Sequence, residues 1–256
     1  MIELSKKLLR IVGQTNAKYK MFEENDKILL ALSGGKDSMS LAHTLKHFCS
    51  VSPLNWSFKA VTIGYGIGEN FAPIKEHFKE HEIDYEVIET KIFEFGQEKI
   101  RTNTTFCSFC SRMRRGYLYT YALENGFNKI AIAHHLDDAA ESFFMNFTYN
   151  GALRTLAPKY TAQNGLVVIR PLILARERQI RDFAQKNELP IMNEEEACPA
   201  KQYGGKEPFA RADTKAILVD LELKNPKFFV SLKSAFGNIH SDTFFANSTQ
   251  DYNDDE

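Results

Sequence analysis

A continuous apolar run, KILLALS at residues 27–33, stops at Gly34-Gly35 and passes straight into a helical pattern in which Leu41, Leu45 and Phe48 share one face. An apolar run without polar alternation suits a strand covered on both sides. The same succession repeats along the chain. Trp56 to Ile63 reads as a second strand, closed by the glycine-rich GYGIG. A helix around 70–81 leads to a third strand, YEVIET at 85–90; KIAIA at 129–133 is the fourth, and LVVIRPL supplies a fifth near 166–170. HHLDD leads into another helix, and an arginine-rich helix follows over about 175–187. Strands alternating with helices build a parallel sheet with helices on both faces. The expected fold is therefore α/β, a parallel five-stranded doubly wound sheet with helical N- and C-terminal extensions. Its ligands should bind beyond the carboxyl ends of the strands. The expected division is an N-terminal helical extension at 1–24, a catalytic domain at 25–207, a helical appendage at 208–240 and an acidic tail at 241–256.

Charge and cysteine usage narrow the setting. No run of eighteen apolar residues exists, so no membrane span is expected. The first 22 residues are charged throughout and lack the apolar core and cleavage site of a secretory signal. A cytoplasmic protein with no membrane partner is the expectation. The last sixteen residues hold five acids and no Lys or Arg; without them the net charge moves from −1 to +4, as for a basic-faced body with an acidic tail. Of the four cysteines, Cys107 and Cys110 form a C-x-x-C pair, read as lying in a polar loop that opens a helix over roughly 111–125. In a cytosolic chain such a pair points to a metal, a cluster or redox chemistry more than to a disulfide.

The turn Ser33-Gly34-Gly35-Lys36-Asp37-Ser38 joins a strand to a helix N-terminus. Glycines present backbone N–H groups to an anion, and the helix dipole adds positive potential. Ser33 and Ser38 can donate to phosphate oxygens, Lys36 can neutralise charge, and Asp37 can hold Mg²⁺ or cap the helix. The spacing is not that of a Walker loop. A Gly-Gly turn with a capping Asp also occurs without any ligand.

The hexapeptide SGGKDS after an apolar strand resembles the PP-loop of ATP pyrophosphatases, with their adenine nucleotide alpha hydrolase-like fold. That family splits ATP between the α and β phosphates and adenylates a carbonyl or acid. Taken with CSFCSRMRRGYLY, KIAIAHHLDDAAESFFMN, YNGALRTLAPKYTAQNGLVVIRPL and SLKSAFGNIHSDTF, the resemblance sharpens to the tRNA-cytidine 2-thiolation enzymes and spans residues 27 to about 243. The resemblance implies that Cys107, Cys110 and Cys198 hold a [4Fe–4S] cluster with one iron open. It also puts Asp137 and Asp138 near ATP and Mg²⁺, and Arg114 and Arg115 near the active site. Ser33 to Ser38 and His134 become nucleotide-binding candidates, with Asp37, Asp137, Arg114 and Arg115 as catalytic ones. The implied partners are tRNA and a sulfur donor such as a cysteine desulfurase, with a homodimer as one option for assembly.

Plainer readings stand beside these. Cys107 and Cys110 also suit a zinc knuckle, although no second pair follows, and Cys49 suits a buried small residue. His134 suits a hydrogen-bonded strand-end histidine, and Asp137-Asp138 a helix cap. Residues 99–116 hold five Lys or Arg and no acid, and 151–186 hold seven against two. With Phe109, Tyr117, Tyr119 and Tyr121 interleaved, they are either an RNA-contacting face or a solvated face over core aromatics. Alternative chemistries are a cysteine persulfide without a cluster, lysidine-type amination, and non-catalytic ATP or RNA binding.

Overall fold

A computed structural model describes residues 2–99, 106–193 and 209–243. Five strands run parallel as expected: β1 (Lys27–Ala31), β2 (Ser57–Ile63), β3 (Tyr85–Ile88), β4 (Lys129–Ala131) and β6 (Val167–Ile169). A sixth, β5 (Lys159–Thr161), corrects the five-strand expectation. It pairs antiparallel with β6 at the sheet edge, in the order β3-β2-β1-β4-β6-β5. Its three residues are too few to show an alternation. Asn164-Gly165 in the connecting turn, with Gly165 at φ +87°, is the hairpin signal that marks it.

Successive β1 side chains enter opposite cores, as the period of two requires. Ile28 and Leu30 join the larger core beneath α1 (Lys6–Tyr19), α2 (Lys36–Val51), α3 (Ala72–Glu80) and α7 (Glu177–Lys186). Leu29 points the other way, with Val61, Ile63 and Ile130, against α4 (Ile92–Lys99) and α5 (Phe106–Glu124). Helix α5 starts earlier than expected. Positions 107 and 110 therefore lie in its first turns and not in a loop preceding it. Helix α1 is capped by the Ser5 hydroxyl and buries Leu8 and Val12 in the larger core. A third core joins α6 (Leu136–Tyr149) to α8 (Phe209–Lys224) and α9 (Phe228–Ala235) through Leu136, Ala140, Leu218, Phe229 and Leu232. At the amino end of β4, buried Lys129 is paired with Asp26 and Glu23, both at 2.6 Å. That cluster lies at the sheet end opposite the expected ligand edge.

Three imidazoles meet between α2 and α3. His43 Nε2 and His77 Nε2 share a proton contact of 2.8 Å, and His81 stacks 4.3 Å from His77. Burial, reinforced by the neighbouring histidines, holds the His43 pKa down to about 3 from 6.5. The unfolded chain binds the extra proton first, so this group's stabilisation is complete above pH 6.5 and is lost as pH falls towards 3. The expected slope from His43 is about 1.4 kcal/mol per pH unit within that window. Urea titrations between pH 6.5 and 4 should give a shallower pH dependence for His43→Asn, by about one proton.

Candidate active site

The phosphate turn is tightly built. Gly34 sits at φ +80°, and its carbonyl accepts from Met192 N–H at 3.0 Å. The positive φ disfavours any side chain here, and a Cβ, 2.5 Å from Met192 Sδ, would also displace that methionine. The Ser33 N–H donates to Ser38 Oγ at 3.2 Å, and Ser38 Oγ donates to the Gly35 carbonyl at 3.0 Å. These bonds hold the turn open at the start of α2. Lys36 Nζ lies between Asp37, at 3.3 Å, and Glu177, at 3.1 Å. Burial alone would depress its pKa; the two carboxylates outweigh that and raise it. Asp37 Oδ1 is buried without a hydrogen-bond partner. Burial pushes this carboxyl above its usual range, against the pull of His135 and Lys36. An uncompensated buried carboxylate oxygen is costly and fits a place for a cation.

The opposite wall comes from β4 and α6. His135 caps α6: its Nδ1 accepts from Asp138 N–H at 3.3 Å while its own N–H donates to the Asp138 carboxylate at 3.0 Å. Its Nε2 lies 3.8 Å from Asp37 Oδ1 and 3.4 Å from Asp138 Oδ2. The loops after the adjacent strands β1 and β4 thus meet beyond the carboxyl edge. From these neighbours the chain runs on in opposite directions across the sheet, β1 to β2 and β4 to β6, which makes this the switch point where α/β sheets bind ligands.

Arginines from later in the chain close the wall. Arg176 pairs with Asp137 at 3.0 Å and with both Glu222 oxygens at 2.7 and 2.8 Å, and its guanidinium lies 3.4 Å over the Phe229 ring. Arg211 bridges Asp138, at 2.8 Å, and Glu141, at 2.7 Å. Nothing local in the sequence ties Arg211 or Glu222 to HHLDD; α8 delivers both through its packing on α6. Arg170 likewise carries no local signal of its role. It is buried and its Nε donates to His134 Nδ1 at 3.0 Å. Burial, assisted by Arg170, holds the His134 pKa down to about 4.

The remaining candidates are more dispersed. Arg114 Nη1 donates to Tyr65 Oη at 3.3 Å, which brings it to the loop after β2. Arg115 is exposed on the same helix. Neither makes a hydrogen bond or ion pair with Asp37 or Asp137 among the described residues. Cys107 and Cys110 stand three apart on α5, so they share a helix face. Cys110 is buried; the Cys107 side chain and Cys198 lie outside the described residues. Among the described side chains, no three His, Cys, Asp or Glu are arranged to hold a metal ion. Cys49 donates to the Trp56 carbonyl and packs on the edge of the larger core, half-buried where a buried residue was expected.

The basic stretches are less free than their composition suggests. Arg170 is buried, Arg176 is held by two carboxylates, and Lys159 and Lys186 pair with Glu23 and Glu3. Arg154, Arg178 and Arg181 are exposed. Tyr117, Tyr119 and Tyr121 pack against the smaller core, and Tyr121 Oη donates to Glu86 at 2.7 Å.

A family model described as a PP-loop domain matches residues 4–199. The tRNA-cytidine(32) 2-sulfurtransferase of Pseudomonas syringae pv. tomato is 37% identical over 241 residues, covering 93% of this chain and 85% of that protein. The enzyme of the same name from Geobacter metallireducens is 37% identical over 236 residues, covering 91% of this chain and 90% of its own. Among solved structures, the U34-tRNA thiolase NcsA from Methanococcus maripaludis, with its [4Fe-4S] cluster, shares the fold at a TM-score of 0.74 and 24% identity, over 94% of this chain and 82% of that one. No helix among the described residues is long and apolar enough to cross a membrane. With the glycine turn, the carboxylate-lined switch point and nearly the full length of two relatives in agreement, the chain belongs to the PP-loop family and, within it, to the tRNA-cytidine 2-sulfurtransferases.

Proposed function

We propose that this chain uses ATP to adenylate the C2 oxygen of a tRNA cytidine, position 32 by the names of its relatives, and then exchanges that oxygen for sulfur. The observation that carries the reading is the buried, unpartnered Asp37 oxygen beside an anion-binding turn, in a chain 37% identical to cytidine thiolases. The backbone N–H groups of Gly34 to Ser38 and the Lys36 ammonium take the ATP phosphates. Asp37 would hold Mg²⁺, which would neutralise charge on the phosphates. The base oxygen attacks the α-phosphorus, and pyrophosphate leaves with the electrons of the Pα–O bond. Sulfide, released from the persulfide of a donor such as a cysteine desulfurase by a thiol reductant that supplies two electrons, then adds at C2 and AMP departs with the original oxygen. Arg176 holds Asp137 in place at the edge of the site. Arg114 and Arg115 add positive charge on the β2 side. Positioning and charge neutralisation do most of the work in the first step.

Cys107, Cys110 and Cys198 would hold a [4Fe–4S] cluster. The shared helix face of the first two fits a common metal centre, and a cluster held by three thiolates would supply a site for sulfur. The phosphate turn lies on a separate element, so nucleotide binding should not need these thiols. The test is paired. Cys110→Ser and Cys198→Ser should each lose iron and thiolation, because a hydroxyl is a poorer iron ligand than a thiolate. Both should keep ATP affinity by calorimetry and RNA-stimulated pyrophosphate release. An iron-free variant that thiolates at the wild-type rate would move the sulfur onto a cysteine persulfide.

A further inference from the structure

A cavity of about 280 Å³ opens beside the switch point, between α6 and Arg211. His134 and Asp138 form one side; Ser142 and Asn146 continue it along α6, and Met145 and Leu156 give it apolar surface. It adjoins the Asp37–His135–Asp138 contacts directly, since Asp138 belongs to both. Hydrogen-bonding side chains beside a smaller apolar surface are what reads an extruded base, through its Watson–Crick edge and its ring face.

The chemistry of the His134 ring is fixed from behind. Arg170 donates to Nδ1, and an arginine can only donate. Nδ1 must therefore carry the lone pair. A neutral imidazole then has its proton on Nε2, so this nitrogen can only donate. No partner for Nε2 is present among the described residues. The Asp138 and Glu141 carboxylates nearby are acceptors with capacity beyond their bonds to Arg211.

We propose that His134 selects cytidine over uridine, its Nε2–H donating to N3 of the target base, with Arg170 as the positioning residue that fixes this tautomer. The inference rests on the proposed thiolation of a tRNA base and reassigns His134 from the nucleotide to that base. N3 of cytosine is an acceptor adjacent to the reacting C2, whereas N3 of uracil carries a proton. A fixed donor matches the first and opposes the second. The 4-amino group of cytosine finds acceptors in Asp138 or Glu141, and the uracil O4 does not. A site with buried groups of one polarity rejects the mismatched analogue because its own groups are left unpaired.

Two measurements test this without requiring turnover. The first is the long-range ¹H–¹⁵N spectrum of histidine-labelled protein at pH 7.5, with the His134 signal identified by its loss in His134→Asn. The Nε2–H pattern is expected in the wild type, and a mixed pattern in Arg170→Gln, since a carboxamide can accept as well as donate. An Nδ1–H pattern in the wild type would overturn the proposal. The second is binding of two anticodon stem-loops that differ only by cytidine or uridine at the target position, with a non-hydrolysable ATP analogue present. The wild type should prefer cytidine by about tenfold or more, and His134→Gln should reduce the preference to within about threefold. Equal binding by the wild type, or an unchanged preference in His134→Gln, would refute the proposal. A wild type that discriminates yet forms no thiolated base would count against the thiolation reading alone.

Discussion

Asp37→Asn should lower RNA-dependent pyrophosphate release by about 100-fold or more while leaving the melting temperature at pH 7 equal to or above that of the wild type. Both effects come from one atom. Asp37 Oδ1 is buried without a hydrogen-bond partner, and burial raises the carboxyl above its ordinary range. A carboxyl whose folded pKa is raised favours the fold at low pH, and that contribution is lost as pH rises through the folded value. The amide does not titrate and so escapes that loss in the ligand-free protein. The same charge is what a Mg²⁺–phosphate complex would use. Differential scanning calorimetry beside a pyrophosphate assay checks both halves. A clear drop in melting temperature would make Asp37 a structural residue, and near-normal turnover would remove it from the nucleotide site.

Arg176→Met should destabilise the protein by about 3 kcal/mol, read from urea unfolding. Arg176 is only 14% exposed and faces Asp137 and Glu222, which are 15% and 25% exposed. Methionine retains an apolar contact over Phe229 but leaves Asp137 without its guanidinium and Glu222 with only the exposed Arg178, at 3.5 Å. Breaking a largely buried pair costs more than the pair contributes, because the remaining charge is uncompensated. Adding Glu222→Gln to Arg176→Met should therefore restore part of the loss. Strictly additive destabilisation in the double variant would show that the charges do not couple. Since Arg176 also ties α7 to α6, α8 and α9, its loss should loosen α8 and the Arg211 that it carries.

Much of this arrangement was legible in the chain. KILLALS followed by Gly34-Gly35 specifies a buried strand, a sharp turn and a helix start, and that combination places the phosphate turn. The alternation of apolar runs with helical patterns carried the parallel sheet. Features set by distant packing were not legible. Strand β5 exists because Lys159 to Thr161 can pair with β6, a property of the neighbour more than of KYT itself. The first turn of α5 reaches back over the C-x-x-C because tertiary contacts, including buried Cys110, override its polar composition. Arg170, Arg211 and Glu222 act on residues 36, 70 to 73 and 46 positions away, so no local spacing marks them. Local composition was also misleading where it seemed plainest. Five of the seven cations at 151–186 are buried or paired, and the tyrosines interleaved in the other stretch pack on a core.

The most direct test is product analysis by mass spectrometry. Anaerobically purified protein, supplied with ATP, Mg²⁺, sulfide and an anticodon stem-loop, should convert the target cytidine to 2-thiocytidine. One pyrophosphate and one AMP should appear per sulfur inserted. Omitting ATP should abolish the product. Formation of lysidine when free lysine is also supplied, or of pyrophosphate with no sulfur-containing nucleoside, would contradict the proposed reaction.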